Sequence, residues 1–356
     1  MTTAYLNAIS TAVPPVDVHR AFMEFGRSLL SDNRRKVLFG RMAERSGIAH
    51  RWSYLEPDPD APDGYLDTAR FYRKDAFPGT ARRMRLYETL APRLAQEAAA
   101  GLFLGEEAAG ITHLIVASCT GLFAPGIDLL LVESLGLNPS VERTVVGFMG
   151  CYAAMNTLKL ARHIVRSTPE ARVLVVCIEL CSLHMQESDD LEQILSFLLF
   201  GDGAAAALVT ADPMGFALDG FKTFLAPDAA DQITWTIGDQ GFDMFLSGHV
   251  PGSVGSALKS SRDQILGGAD MADVSLWAVH PGGRSILDAV ESALDLAPRS
   301  LDESRTVLRE YGNMSSATIL FVLKSMLERP APGALGCAMA FGPGLTAETL
   351  MFSGAA

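Results

Sequence analysis

Short, wholly apolar runs alternate along this chain with stretches of helical periodicity, and that alternation limits the fold more than any other feature. ITHLIVASC (Ile111–Cys119), RTVVGFM (Arg143–Met149) and ARVLVVCIEL (Ala171–Leu180) are brief, rich in β-branched residues and apolar at most positions. A strand with one wet face alternates apolar with polar, so runs without alternation are expected for strands covered on both faces. Helical stretches such as AAMNTLKLARHIVRS (Ala153–Ser167) lie between them. The pattern predicts an α/β architecture of stacked layers. At 356 residues, 49% of them hydrophobic, the chain suits one large α/β body or two fused halves. The Pro- and Asp-rich stretch Leu55–Gly64 reads as an exposed loop.

Three junctions carry polar, reactive residues where a strand is expected to give way to a helix. Gly150-Cys151 follows RTVVGFM, His280 and Pro281-Gly282-Gly283 follow DVSLWAV, and Gly312-Asn313 precedes the MSSATILFVLKSML helix. Strand ends beside helix starts are where α/β proteins gather ligands. A Cys at a helix start feels the positive end of the macrodipole, which favours thiolate. An imidazole beside it can pair with that thiolate or move a proton. An Asn amide, like a protonated His, can donate to a developing oxyanion. Each residue also has a plain structural alternative: a packed core Cys, a core His with one backbone partner, a helix-capping or turn Asn. What favours Cys-His-Asn chemistry is that all three occur at such junctions.

Two further runs are rich in glycine. LFGDGAAAALV (Leu199–Val209) has neither GxGxxG nor GxxxxGK[ST] spacing, so it reads as a tight turn leading into a small-residue strand or helix and not as a phosphate loop. AFGPGLTAE (Ala340–Glu348) reads as a turn between the last two strands, with a rigid wall beside a substrate as the functional alternative.

Composition excludes several classes. A net charge of −12 argues against nucleic acid as a partner. The charge is uneven: Arg34 to Arg93 holds thirteen Lys/Arg against eight Asp/Glu, leaving −17 elsewhere. That stretch is either a solvated surface or a basic rim suited to the phosphates of coenzyme A. No run of eighteen apolar residues suggests a membrane span, and MTTAYLNAISTAVPP does not read as a signal peptide. Five Cys without zinc spacing argue against a disulfide framework or a structural metal, and a cytoplasmic location is expected.

With these runs in view, the chain resembles type III polyketide synthases, the chalcone-synthase-like family, over nearly its whole length. The resemblance rests on SCTGLFAPGID (Ser118–Asp128), GFMGCYAA (Gly147–Ala154), LFGDGAAA (Leu199–Ala206), VHPGGRSILD (Val279–Asp288), YGNMSSAT (Tyr311–Thr318) and AFGPGLTAE. It implies a thiolase-like fold of two similar halves in α-β-α-β-α layers, divided here as 1–210 and 211–356, and a homodimer. Cys151 matches the nucleophile; His280 and Asn313 match the pair that polarises the malonyl thioester. The substrates implied are acyl-CoA and malonyl-CoA, with no carrier-protein domain and no cofactor. Repeated condensation would end in cyclisation.

Further positions carry over from the same resemblance. Phe200 and Met244 match the two gates of the coenzyme A tunnel, Met244 standing where an aromatic is usual. Arg41 and Arg45 match residues that meet coenzyme A phosphates; the third basic position falls at Leu38, with Lys36 nearby to replace it. Ser315 lines the cavity, as do Gly342, Pro343 and Gly344 of the FGPG loop, whose preceding Gly is Ala340 here. Cys119 stands where plant members usually carry Thr. SCTG together with ELCSLHMQ (Glu179–Gln186) looks nearest to bacterial alkylpyrone-forming members, so alkylpyrone or resorcinol-type products are implied. The alternatives are a fatty-acid-initiating ketoacyl-carrier-protein synthase, whose HQAN-like and GNTSA-like runs are HPGG and GNMSS here, and a non-catalytic thiolase-fold partner.

Overall fold

Nine strands form one mixed sheet whose pairing order repeats itself. In the computed structural model, which describes residues 2–60, 64–103, 108–226, 228–329 and 331–355, the first half runs β1 (Tyr5–Ala12), the short pair β2 (Val16–Asp17) and β3 (Trp52–Ser53), β4 (His113–Ser118), β5 (Glu142–Gly147), β6 (Val173–Leu180) and β7 (Asp202–Thr210). The second half runs β8 (Phe216–Leu225), the hairpin β9 (Ile233–Gly238) and β10 (Gly241–Leu246), β11 (Val274–Val279), β12 (Leu335–Gly342) and β13 (Thr346–Gly354). The helices are α1 (His19–Leu29), α2 (Asn33–Arg45), α3 (Thr80–Ala100), α4 (Ile127–Ser134), α5 (Ala153–Ser167), α6 (Leu191–Phe197), α7 (Val250–Leu266), α8 (Arg284–Leu294), α9 (Asp302–Tyr311) and α10 (Thr318–Leu327). The expected loop at Leu55–Gly64 is irregular where described; residues 61–63 of it lie outside the described residues.

The strand order is β11-β12-β13-β8-β1-β7-β6-β4-β5. From β1 outward, β7 and β6 pair antiparallel and β4 pairs parallel. From β8 outward, β13 and β12 pair antiparallel and β11 pairs parallel. Within the sheet the two halves join where β1 pairs β8, Tyr5 with Ala217 and Leu6 with Phe216. This repeat places equivalent positions at the sheet ends. Cys119 follows β4 as His280 follows β11, and Cys151 lies two residues before α5 as Ser316 lies two before α10.

Burial follows the two-residue period of a strand. On β6, Leu174, Val176 and Ile178 face an outer cluster with α1 and α3, while Val173, Val175 and Cys177 face a central cluster with α5 and α10. On β12, Ala338 and Ala340 face that same centre, while Cys337, Met339 and Phe341 face α7, α8 and α9. The central cluster takes α5 and α10 between the β6 side and the β12 side, and an outer cluster covers each far face, giving the order α-β-α-β-α that the resemblance implied. The LFGDGAAAALV run is strand β7 from Asp202 onward, and its Ala204–Ala207 stretch is wholly buried.

Candidate active site

The turn that presents Cys151 is forced by its backbone. β5 ends at Gly147; Phe148 and Gly150 both take positive φ (58° and 71°), and a short 3-10 turn, Gly150–Tyr152, leads into α5. Cys151 is buried, its Sγ 3.8 Å from Ser315 Oγ. The helix start was expected to favour thiolate, but burial prevails. It pushes the thiol up to about 11, opposed by hydrogen bonding from Ser315 and Asn313. The Cys151 side chain is therefore a neutral thiol.

His280 lies one residue beyond β11, its backbone N–H donating to the Met339 carbonyl at 2.8 Å. Its ring is 1% exposed, yet neither ring nitrogen has a hydrogen-bond partner. A core His satisfied by a backbone group is therefore ruled out. Burial lowers its pKa to about 3, so the ring is neutral. A neutral imidazole still offers one N–H donor, so the protonated donor considered from sequence is not needed.

Asn313 departs from the expected strand-to-helix junction. It follows α9, not a strand, because REY closes that helix. A bridge to the LFGDG turn fixes it instead: Asn313 N–H donates to the Leu199 carbonyl at 2.8 Å, and Gly201 N–H donates to the Asn313 carbonyl at 2.9 Å. Its Oδ1 accepts from Ser315 N–H at 2.8 Å, which leaves the amide N–H groups for the thiol side.

Cys151, His280 and Asn313 line one apolar cavity of about 60 Å³. Cys119, Phe200, Met244, Ser315, Gly342 and Pro343 line it too. Phe200 packs on Cys151 and Cys181, with Met244 against them. The FGPG segment is thus a wall of the cavity. Gly344 is not among the lining residues; it follows Pro343 with φ 75° and turns the chain into β13.

A larger vestibule of about 690 Å³ lies next to the cavity, and the two share Leu246, Val250, Gly282 and Ile286. Arg45 lines the vestibule. Arg41 and Lys36 do not, and Arg41 and Leu38 are exposed on α2. Of the basic residues expected there, the vestibule takes only Arg45.

Several residues of this site escaped the sequence reading. Trp235 lines the cavity and donates from Nε1 to the Cys119 carbonyl at 2.7 Å. It sits directly across the β9–β10 hairpin from Met244, so the period of that hairpin, TWTIGDQGFDMF, was the available signal. Cys181 is a third lining thiol. Glu179, fully buried behind Cys119, accepts from Cys119 N–H at 3.0 Å, from Thr120 Oγ1 at 2.8 Å and from Ser316 Oγ. Burial raises its pKa to about 7 despite these donors. A lone Glu at the end of an apolar run gave no signal of this network.

The layered fold has counterparts among solved structures. The type III polyketide synthase domain at the C-terminus of Steely1, a type I/III hybrid from Dictyostelium, superposes with a TM-score of 0.88 at 25% identity, covering 99% of this chain and 100% of that one. PKS-I from the brown alga Ectocarpus siliculosus gives 0.89 at 28% identity, with 99% of each chain covered. The family models for the N-terminal and C-terminal domains of chalcone and stilbene synthases match residues 2–213 and 219–356. The chain therefore belongs to the chalcone and stilbene synthase family and is a type III polyketide synthase, an enzyme of the acyltransferase class. It is 33% identical, over 99% of its length and 91% of the relative's, to the alpha-pyrone synthesis polyketide synthase-like Pks18 of Mycobacterium tuberculosis. The family works on coenzyme A thioesters and needs no cofactor. Among the described residues no helix is long and apolar enough to cross a membrane.

Proposed function

We propose that the enzyme extends an acyl-CoA starter with malonyl-CoA on Cys151 and cyclises the product to an alkylpyrone or resorcinol-type ring. The observation that carries this reading is the unpartnered His280 ring beside Cys151 and Asn313. A buried polar group without a partner costs about 1–3 kcal/mol, so an imidazole kept that way is reserved for a ligand. The Cys151 proton passes to an unpartnered nitrogen of His280, the sulfur attacks the starter carbonyl, and the coenzyme A sulfur leaves, taking that proton back from His280 as the thiol. The malonyl thioester oxygen then accepts hydrogen bonds from the His280 N–H and the Asn313 amide. Loss of carbon dioxide leaves its electron pair as an enolate held by those donors. The enolate carbon attacks the Cys151 thioester, forming the carbon–carbon bond and releasing the cysteine sulfur. The division at 210/211, with the nucleophile in one half and its two donors in the other, belongs to this reading, as do the gating roles of Phe200 and Met244.

The homodimer is also part of the proposal. β5 is an edge strand, mostly exposed, with Val145 50% exposed and Leu122 beside it equally so. Such an edge is a template for a second copy. Five buried free cysteines suit a reducing cytoplasm. Incubation with malonyl-CoA and a panel of acyl-CoA starters, read by mass spectrometry, tests the function. Products with two or more added malonyl units support it; a single condensation per starter contradicts it.

A further inference from the structure

One short segment of the first half grips both sides of the bridge that presents Asn313. A helix end leaves its last carbonyls open, and those of α9 are taken by Ala49, His50 and Trp52. Ala49 and His50 N–H donate to the Arg309 carbonyl at 2.8 and 3.0 Å, and Trp52 Nε1 donates to the Glu310 carbonyl at 2.9 Å. Arg51, between them in the chain, reaches the other side. Its Nη1 donates to the Phe200 carbonyl at 3.0 Å and its Nε to His19 Nδ1 at 3.0 Å. Its stem lies against both turns: a Cβ on Gly312 would come within 2.9 Å of Arg51 Cγ, and one on Gly201 within 3.4 Å of Arg51 Cβ. Gly312 precedes Asn313 and Gly201 follows Phe200. Arg51 is fully buried, and burial lowers its pKa to about 10, so it still carries its charge at neutral pH. The acceptors of that charge are His19 and the Phe200 carbonyl, both uncharged. A buried charge is costly, and an apolar side chain would fill the same space. What only the guanidinium supplies is a charge-assisted bond, roughly twice as strong as a neutral one, on the Phe200 carbonyl.

We propose that Arg51 is a positioning residue for the malonyl step. By holding the Phe200 carbonyl it locks the bridge between Phe200 and Asn313, and so fixes where the Asn313 amide meets the thioester oxygen. This rests on the reading that Asn313 stabilises the enolate. Arg51 acts only through that bridge, since Phe200 and Asn313 line the cavity and Arg51 does not. Loading of the starter proceeds through Cys151 and His280. Loss of Arg51 should therefore weigh on decarboxylation and condensation and much less on acylation, a division that a side chain serving stability alone would not produce.

The test compares Arg51→Met and Arg51→Lys with the unaltered enzyme, each alone and combined with Asn313→Ala. Two rates are read: decarboxylation of malonyl-CoA to acetyl-CoA without a starter, and acylation of Cys151 by an acyl-CoA without malonyl-CoA. Arg51→Met keeps a stem and removes the charge. It should lower kcat for decarboxylation about tenfold and leave KM within about twofold. Arg51→Lys, with a single point charge to offer the Phe200 carbonyl, should recover part of that loss. Acylation should stay within about threefold of the native rate in both. In the Asn313→Ala background Arg51→Met should slow decarboxylation by less than about twofold more, because nothing is left to aim. An equal loss in both rates overturns the proposal, since general damage to the fold does the same. So does a full additive loss in the double variant. If Asn313→Ala itself leaves decarboxylation intact, the enolate reading falls and the role of Arg51 with it; if only Arg51→Met leaves it intact, the role of Arg51 falls alone.

Discussion

Gly150 and Pro343 meet across the boundary between the two halves, so closely that a Cβ on Gly150 would run into the Pro343 ring. Gly150 also holds φ at 71°, where side chains are strained. The contact sets how far the Cys151 turn advances toward the FGPG wall. Gly150→Ala should therefore destabilise the fold by about 1–3 kcal/mol. It should also slow acylation of Cys151 by about a hundredfold, since small misplacements of a nucleophile are costly. Denaturant melts and stopped-time mass spectrometry check both; a near-normal acylation rate would remove the contact from the mechanism.

Cys119 is the counterpart of His280 in the repeated half, but its sulfur is already engaged. It accepts from Gly150 N–H at 2.9 Å, and burial raises its pKa well above the ordinary range. A serine can accept the same bond. Cys119→Ser should leave turnover within about tenfold of the native rate; complete loss would reveal a second catalytic thiol.

Trp235 occupies much of the wall next to Cys119. Removing the indole enlarges a cavity of about 60 Å³ and frees space opposite Met244. Trp235→Ala should shift starter preference toward bulkier acyl groups, each added buried methylene contributing about 0.8 kcal/mol. The ratio of kcat/KM for long and short acyl-CoA starters reads this out, and an unaltered ratio would show that the wall limits nothing.

Glu179 gives a pH signature. Its pKa rises from 4.5 to about 7 on burial, so between those values the folded state holds a proton that the unfolded chain has released. Its contribution is therefore full below about pH 4.5 and is lost as pH rises through 7. Glu179→Gln lacks that loss. Relative to the native protein, its Tm should improve between pH 5 and pH 8; a constant Tm difference across the range would contradict the buried, protonated state.

The layers were legible because wholly apolar runs such as Val173–Leu180 must be covered on both faces, and β6 is buried at every position. Cys151 and His280 were legible because each follows an apolar run, although the run before Cys151 is β5, a mostly exposed edge strand and not one covered on both faces as its composition suggested. Asn313 was found for a mistaken local reason: its neighbours close a helix, and its place is fixed by Leu199 and Gly201, more than a hundred residues away. Trp235 and Glu179 act through a facing strand and a buried hydrogen-bond network, neither of which leaves a local pattern.

The most direct test of the account is to locate the acyl group. After brief incubation with an acyl-CoA starter and no malonyl-CoA, peptide mass spectrometry should find the acyl mass on the peptide bearing Cys151, and Cys151→Ala should abolish it. Acylation persisting in that variant, or falling on Cys119 or Cys181 in the native enzyme, would contradict the assignment of Cys151 as the nucleophile.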